Sequence, residues 1–178
     1  MDPQEMRLRY YPDPVLTRRG DAVTEFGEPL VRRARRMFEI MYENKGIGLA
    51  APQVGWSAQL FVANLSGDPE NRDEELVFAN PKVSEPAGEA SFEEGCLSFP
   101  GIHLDVVRPD TVKVTAQDVA GEWFEMDTDD LLSRCVQHEF DHLDGILFTS
   151  RVSTVAKMMV RKDLKELERK YKDEKRAG

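Results

Sequence analysis

The stretch CVQHEFDHLDG, residues 135–145, contains two of the three histidines of the chain, four residues apart. Glu139 follows the first of them, so His138 to His142 form the pattern HExxH. On an α-helix, residues i and i+4 lie on one face, about one turn apart. Both imidazoles can therefore bind one metal ion with a glutamate beside it, an arrangement typical of hydrolytic metal sites.

The helix that carries this pattern is expected to be buried, because apolar residues occur on nearly all its sides: Leu131, Leu132, Cys135, Val136, Phe140 and Leu143. A chance match on a surface helix and a pair of core histidines are competing interpretations. The apolar residues argue against a surface helix, and unpaired polar groups on a buried helix would be costly. We therefore favour a metal site, in which Gln137 and Asp141 either orient the imidazoles or have a structural role.

Two histidines need a third ligand, and four residues are candidates. Cys135 lies seven residues before the second histidine, about 10 Å along the helix axis and too far for one ion. His103 has no local partner motif, and Glu166 has the charged neighbours of an exposed helix residue. Cys96 lies in FEEGCLSFPG (92–101), which is expected to be a loop. Its thiolate would complete a three-ligand site with an open position, as in catalytic sites; the other interpretations of Cys96 are a nucleophile or an inert residue. Cys96 ranks first and Glu166 second.

Apolar periodicity predicts the remaining elements. The predicted helices cover 28–44, the HExxH region after a cap at Asp127 or Thr128, and 153–174; the predicted strands cover 58–65, 75–81 and a hairpin over 111–128. Residues 46–55 are expected to form a loop and a short strand. The result is an α+β fold in which mixed or antiparallel β-sheets pack around the central HExxH helix, with an N-terminal helix and a C-terminal amphipathic helix.

Length and charge suggest one domain with a distinctive end. The 178 residues suit a single catalytic domain over 1–178. The net charge is −9, but residues 151–178, expected as a basic C-terminal helix, carry ten Lys and Arg against five Asp and Glu. This segment is either a site for a polyanion or a solvated helix face. Without a signal-like or membrane-length apolar run, we expect a cytoplasmic protein with reduced cysteines and neither membrane nor DNA as a partner.

Three motifs, in order, resemble those of the peptide deformylases: GIGLAAPQ (46–53), EGCLS (94–98) and QHEFDHLDG (137–145), together with YPDPVL (11–16). The similarity spans nearly the whole chain. It implies hydrolysis of the N-formyl group of N-formylmethionine on nascent polypeptides, with release of formate. This reaction belongs to N-terminal processing in protein biosynthesis.

The resemblance also implies roles for individual residues. The metal ligands would be Cys96, His138 and His142, and the metal would be Fe(II), with Zn, Ni or Co also able to occupy the site. A metal-bound water would be the nucleophile and Glu139 the general acid and base. The remaining implied positions are the oxyanion donors Gln53 (side chain) and Leu97 (backbone N–H), the cleft residues Gly48 and Ile47, and a methionine pocket formed by Ile47, Phe92, Val136 and the stem of Arg134.

Some relatives carry an arginine at the position of His103 that binds the peptide backbone, a role for which Arg108 would be available here. The basic C-terminal helix would contact the ribosome. Two alternatives stay open: an HExxH metalloendopeptidase with Glu166 as third ligand, and a catalytically inactive relative that binds ribosomes or peptides.

Overall fold

The computed structural model describes residues 1–177; Gly178, the last residue of the predicted segment 151–178, lies outside them. The strands are β1 (Gly48–Ala50), β2 (Leu60–Ala63), β3 (Leu76–Ala87), β4 (Ala90–Gly95), β5 (His103–Arg108), β6 (Thr111–Gln117) and β7 (Trp123–Thr128). The α-helices are α1 (Glu28–Glu43), α2 (Asp130–Leu143), α3 (Thr154–Met159) and α4 (Arg161–Ala177). Short 3-10 turns connect several of these elements.

The strands form two antiparallel sheets. One has five strands in the order β1-β2-β3-β6-β7, and the other is the β4-β5 hairpin. Helix α2, which carries the HExxH pattern, packs against β1, β2 and β6. The predicted α+β fold around a central HExxH helix is therefore confirmed.

Apolar faces hold the layers together. Helix α1 buries five apolar residues of one face: Leu30, Ala34, Met37, Phe38 and Met41. Helix α2 is attached to the large sheet by a second cluster that includes Phe61, Phe78, Val114, Val136 and Leu143. Removal of this apolar surface from water, at roughly 25 cal/mol per Å², is what positions α2.

The β4-β5 hairpin corrects the prediction of a loop over residues 92–101. Residues 90–95 form β4, and the chain turns after Gly95 before it returns as β5. Leu104, Val106 and Arg108 of β5 are buried in alternation. The inner face of β4 carries Glu94, and a buried charge conceals the apolar alternation that predicts a strand.

Helix α2 begins and ends differently from the prediction. Asp129, rather than Asp127 or Thr128, is its N-cap residue. The Thr128 hydroxyl instead donates to the carbonyl of Val112 at 2.8 Å. At the other end Gly145 has a φ of +72°, and a Cβ there would lie 2.6 Å from the carbonyl carbon of Thr17. Only glycine fits this sharp exit from the helix.

The predicted helix over 153–174 is two helices, α3 and α4, separated at Val160. Val160, Leu164 and Leu167, at or after the break, pack in a cluster with Phe99 and Phe148. In the described residues, 1–177, none of the helices is both long enough and apolar enough to cross a membrane.

Candidate metal centre

Helix α2 and the end of β4 bring three metal-ligating side chains together. Cys96 directly follows β4, and its Sγ lies 3.3 Å from Nε2 of His142. The ligand atoms of Cys96, His138 and His142 all lie within 4.8 Å of one another. One ion can contact all three, with bonds of about 2.0–2.3 Å. The structure thus joins the HExxH histidines to the cysteine that ranked first.

The other candidate ligands lie elsewhere. Glu166 is exposed on α4 and pairs with Lys170 at 3.1 Å. The Cys135 thiol lies 3.8 Å from the carbonyl oxygen of Ile47. Burial, and then the charge of Glu139, raise the pKa of Cys135 well above its ordinary value. Cys135 is therefore a protonated, buried thiol.

Each histidine presents one nitrogen to the group. Nδ1 of His138 lies 3.0 Å from Oε2 of Glu94, and since a carboxylate only accepts, Nδ1 carries the proton and leaves Nε2 as the ligating atom. Burial, together with the charge of Arg108, lowers the pKa of His142 well below its ordinary value. His142 is therefore neutral, the form that binds metals. Its buried Nδ1 has no hydrogen-bond partner among residues 1–177.

Glu94 is the centre of a buried charge network. It accepts hydrogen bonds from Nε of Arg108 at 2.7 Å, from Nη2 of Arg108 at 3.0 Å and from Nη1 of Arg134 at 2.6 Å. Burial alone would raise the pKa of Glu94, but the hydrogen bonds from His138 and Arg108 outweigh it and lower that pKa to about 2. The carboxylate that orients His138 is thus ionised at neutral pH.

Arg108 does not have the peptide-binding role that the sequence analysis offered it. It is buried, and beyond Glu94 it donates from Nη1 to Oδ2 of Asp141 at 2.8 Å. Asp141 also pairs with Arg151. The side chain of Gln137 donates to the carbonyl oxygens of Ser133 on α2 and of Pro109 between β5 and β6, which indicates a structural role. Sequence reasoning missed Glu94 and Arg151, although Glu94 stands inside EGCLS.

Glu139 of α2 lies against strand β1. A Cβ on Gly48 of β1 would be 2.6 Å from its Oε1. Burial raises the pKa of Glu139 to about 7, although the charge of Arg108 acts against this rise. Within residues 1–177, its buried Oε2 has no hydrogen-bond partner. A carboxyl group with such a pKa can accept and donate a proton near neutral pH.

The amide of Gln53 is oriented toward the ligands. Its Oε1 accepts from the backbone N–H of Ala50 at 2.8 Å, which directs Nε2 toward Ser98 Oγ (3.2 Å) and Cys96 Sγ (3.5 Å). Leu97 follows the cysteine and lines the adjoining cavity. Both predicted oxyanion donors are therefore beside the metal group.

A cavity of about 530 Å³ opens onto these groups, and the predicted cleft residues Gly48, Ile47 and Arg134 line it. Within residues 1–177, neither Phe92 nor Val136 belongs to its lining. Phe92 is 60% exposed, with the guanidinium of Arg134 4.9 Å above its ring. Val136 is fully buried in the cluster that joins α2 to the large sheet. A helix residue two positions before a ligand faces a different side, which explains why Val136 misses the cavity.

Comparison with known proteins identifies the family. The model of the polypeptide deformylase family matches residues 6–158. A peptide deformylase of Acidobacterium capsulatum is 51% identical over 159 residues, 89% of this chain and 93% of that protein. Peptide deformylase 1B of Arabidopsis thaliana, chloroplastic/mitochondrial, is 42% identical over 94% of this chain, which spans 62% of that longer protein.

Solved structures agree with this result. Crystals of the Plasmodium falciparum peptide deformylase contain a chain that is 43% identical, with a TM-score of 0.91 over 94% of this chain and 98% of that one. A plant peptide deformylase gives 42% identity and a TM-score of 0.92 over 95% and 92% of the two chains. The chain therefore belongs to the polypeptide deformylase family of enzymes.

Proposed function

We propose that this chain hydrolyses the N-formyl group of formylmethionine on nascent polypeptides and releases formate, with Fe(II) as its working metal. One observation carries the proposal. The thiol of Cys96 lies within ligand distance of both HExxH imidazoles, beside Glu139 and at a cavity of about 530 Å³. The Cys–His–His set distinguishes the site from that of an endopeptidase with Glu166 as third ligand, because Glu166 is exposed and paired with Lys170.

The metal would be held by Cys96, His138 and His142. A thiolate with two imidazoles suits Fe(II), Zn, Ni or Co. Three protein ligands leave room for a further one, and a metal held in this way activates water for attack on a carbonyl carbon near neutral pH. The buried carboxylate of Glu94 supports the site, because it fixes the ring of His138 through Nδ1.

Glu139 would transfer the proton, and Gln53 and Leu97 would stabilise the negative charge that develops in the reaction. Glu139 accepts the proton of the attacking water and later delivers it to the leaving amine, a role that a carboxyl pKa of about 7 favours. Nε2 of Gln53 and the backbone N–H of Leu97 donate to the formyl oxygen as negative charge develops on it. Because Ala50 already holds the Gln53 amide in place, little reorganisation is needed.

The peptide would bind along β1. This strand is at the edge of the five-stranded sheet, and Gly48 and Ile47 border the cavity. An extended peptide can add to such an edge through backbone hydrogen bonds, with weak preference for sequence. Arg134 forms part of the cavity wall, where hydrogen bonds to Glu94 and to two backbone carbonyls hold it. Ile47 remains the apolar candidate for contact with the methionine side chain.

We further infer that residues 1–178 act as one catalytic domain in the cytoplasm, and that the basic segment 151–178 docks on the ribosome. Support comes from α3, where Val155, Met158 and Met159 are 66–79% exposed. Basic residues Lys157, Arg161 and Lys162 flank these side chains. An apolar ridge with a basic border suits a surface rich in phosphate and protein.

Formate release by protein prepared without oxygen tests the reaction. The apo protein is loaded with Fe(II), Ni, Co or Zn and mixed with a formyl-Met-Ala peptide and, as control, acetyl-Met-Ala. We expect formate from the formyl peptide, fastest with Fe(II), and no cleavage of the internal peptide bond. Internal cleavage would favour the endopeptidase, and no turnover with any metal would favour an inactive binding protein.

A further inference from the structure

Arg151 is the outermost member of a chain of ion pairs that reaches one of the proposed metal ligands. Its side chain is 45% exposed. Nε donates to Oδ2 of Asp141 at 3.0 Å, and Nη2 donates to Oδ1 of the same carboxylate. The Asp141 side chain is only 5% exposed. A two-pronged contact of this kind restrains both partners more than a single hydrogen bond does.

The chain continues inward through Arg108. Oδ2 of Asp141 accepts from Nη1 of Arg108 at 2.8 Å. Arg108 also donates through Nε and Nη2 to Glu94. Oε2 of Glu94 lies 3.0 Å from Nδ1 of His138. Successive buried contacts therefore link an exposed arginine to a proposed metal ligand.

The balance of charge explains why Arg151 matters. Two buried carboxylates, Glu94 and Asp141, share the guanidinium of Arg108. Glu94 has a second cation in Arg134, and Asp141 has its second cation in Arg151. Without Arg151, Asp141 would depend on Arg108 alone and compete with Glu94 for it, since a buried carboxylate with too few partners is costly.

A second contact connects the same residue to the site. The backbone N–H of Arg151 donates to the carbonyl of Phe148 at 2.9 Å and closes the turn after α2. The ring of Phe148 lies 6.0 Å from that of His138. This backbone contact places the segment that carries Arg151 beside the ring of His138.

We propose that Arg151 is a positioning residue of the metal centre, and this inference rests on the function proposed above. The ion pair of Arg151 with Asp141 leaves Arg108 free to pair with Glu94. The hydrogen bond between Glu94 and Nδ1 of His138 then directs Nε2 toward the ion. Arg151 does not touch substrate. Its effect is on how tightly and in which geometry the metal is held.

The full-length cobalt-loaded enzyme provides the test, with Arg151→Gln, the conservative Arg151→Lys and a control, Arg19→Gln. Arg19 forms an ion pair of 3.3 Å with Asp144 at the end of α2, the helix that carries Asp141. It is a suitable control because its side chain is 79% exposed. Three properties are measured: the visible spectrum of the bound Co(II), the rate at which a chelator removes the cobalt, and kcat and KM for a formyl-Met-Ala peptide.

For Arg151→Gln we expect removal of cobalt about 10- to 100-fold faster, a changed spectrum and a lower kcat at unchanged KM. Arg151→Lys has a smaller effect because lysine keeps the charge but not the paired donors, and Arg19→Gln behaves as the unmodified protein. In a Glu94→Gln background, Arg151→Gln adds less than about twofold, because both changes act on one path.

An unchanged cobalt spectrum and chelation rate in Arg151→Gln would overturn the proposal, even if the variant unfolds at a lower temperature. Full additivity with Glu94→Gln would do so as well. If Arg151→Gln does not fold, Arg151→Lys decides by the same spectrum and rate. Cys96→Ala distinguishes a failure of the proposed metal centre from a failure of the role of Arg151. If Cys96→Ala keeps cobalt, the proposed metal centre is wrong. If it loses cobalt while the Arg151 variants bind cobalt normally, only the role of Arg151 is wrong.

Discussion

Glu94 accepts hydrogen bonds from Arg108, Arg134 and Nδ1 of His138 while its side chain is only 5% exposed. Its carboxylate is ionised, because the hydrogen bonds from His138 and Arg108 outweigh the effect of burial and lower its pKa to about 2. The residue thereby determines the tautomer of one proposed metal ligand and the positions of the buried Arg108 and the partly buried Arg134. Its influence on the site depends on charge and not only on shape.

Glu94→Gln tests that influence, since glutamine keeps the size and removes the charge. We expect metal affinity to fall about 10- to 100-fold. We also expect the free energy of unfolding to fall by about 3–5 kcal/mol, because the buried Arg108 and the partly buried Arg134 each lose a counter-charge. Metal titration against a chelator and urea unfolding measure the two effects. Glu89→Gln, an exposed change of the same kind, serves as control; equal behaviour of the two variants would contradict this role.

Glu139→Ala separates binding of the metal from proton transfer. The carboxylate of Glu139 is not among the three ligand atoms, so the variant should keep its metal. Loss of the proton-transfer group should lower kcat by about 100- to 10,000-fold. Metal analysis and formate release are measured on the same preparation. Loss of the metal together with the activity would instead indicate a structural role for Glu139.

At the scale of elements, the approach of β1 to α2 determines where Glu139 lies. Gly48 leaves no room for a side chain, because a Cβ would be 2.6 Å from Oε1 of Glu139 and 2.7 Å from Sγ of Cys135. The glycine is thus required by the close approach of the neighbouring helix.

Gly48→Ala should therefore displace the carboxylate by several tenths of an ångström or more. Misplacement of a reacting group by about 1 Å can cost about 100-fold in rate, and we expect a decrease of at least about 10-fold in kcat with metal content unchanged. Steady-state kinetics and metal analysis provide the check. A wild-type kcat would show that β1 and α2 can separate without consequence.

The sequence predicted those elements whose apolar residues follow a regular period. Helix α1 and the HExxH helix are of this kind, and so is the β6-β7 hairpin. The β4 strand was missed because Glu94 occupies its inner face. The single helix predicted over 153–174 was wrong, because the chain forms two helices that separate at Val160, a break that no local pattern in the sequence shows.

Within the site, local spacing predicted the two histidines and Glu139, and the resemblance to a family added Gln53 and Leu97. Spacing could not predict the ion pairs of Arg108, whose partners Glu94 and Asp141 are 14 and 33 residues away in sequence. Such pairs depend on the register of β4 with β5 and on the docking of α2. The role first offered to Arg108 was wrong for this reason.

At the scale of the whole molecule, charge is divided unevenly. The chain has a net charge of −9, yet residues 151–178 are basic. This segment is also attached to the body: Leu164 and Leu167 pack in the cluster that contains Phe99 and Phe148, and Tyr11 donates to Glu168 at 3.1 Å. If this segment docks on the ribosome as proposed, its fixed orientation would direct the active site toward the nascent polypeptide.

Charge reversal tests this arrangement. We expect the triple variant Lys157→Glu, Arg161→Glu and Lys162→Glu to lose at least about 10-fold in affinity for ribosomes at low salt, because phosphate contacts dominate such binding. Formate release from a short peptide should not change. Co-sedimentation with ribosomes at several salt concentrations measures the affinity.

The matched control is Arg32→Glu with Arg35→Glu, which reverses exposed charges on α1. Loss of binding in both variants would indicate an effect of net charge alone, and wild-type binding by the triple variant would exclude docking through α3 and the start of α4.

The central claim is that Cys96 completes the metal site with the HExxH histidines. Metal content per chain, measured side by side for Cys96→Ala and Glu166→Ala, tests it most directly. We predict that Cys96→Ala loses the bound metal and all formate release, whereas Glu166→Ala, exposed and paired only with Lys170 in the described residues, retains both. Retention of metal by Cys96→Ala, with its loss from Glu166→Ala, would contradict the account.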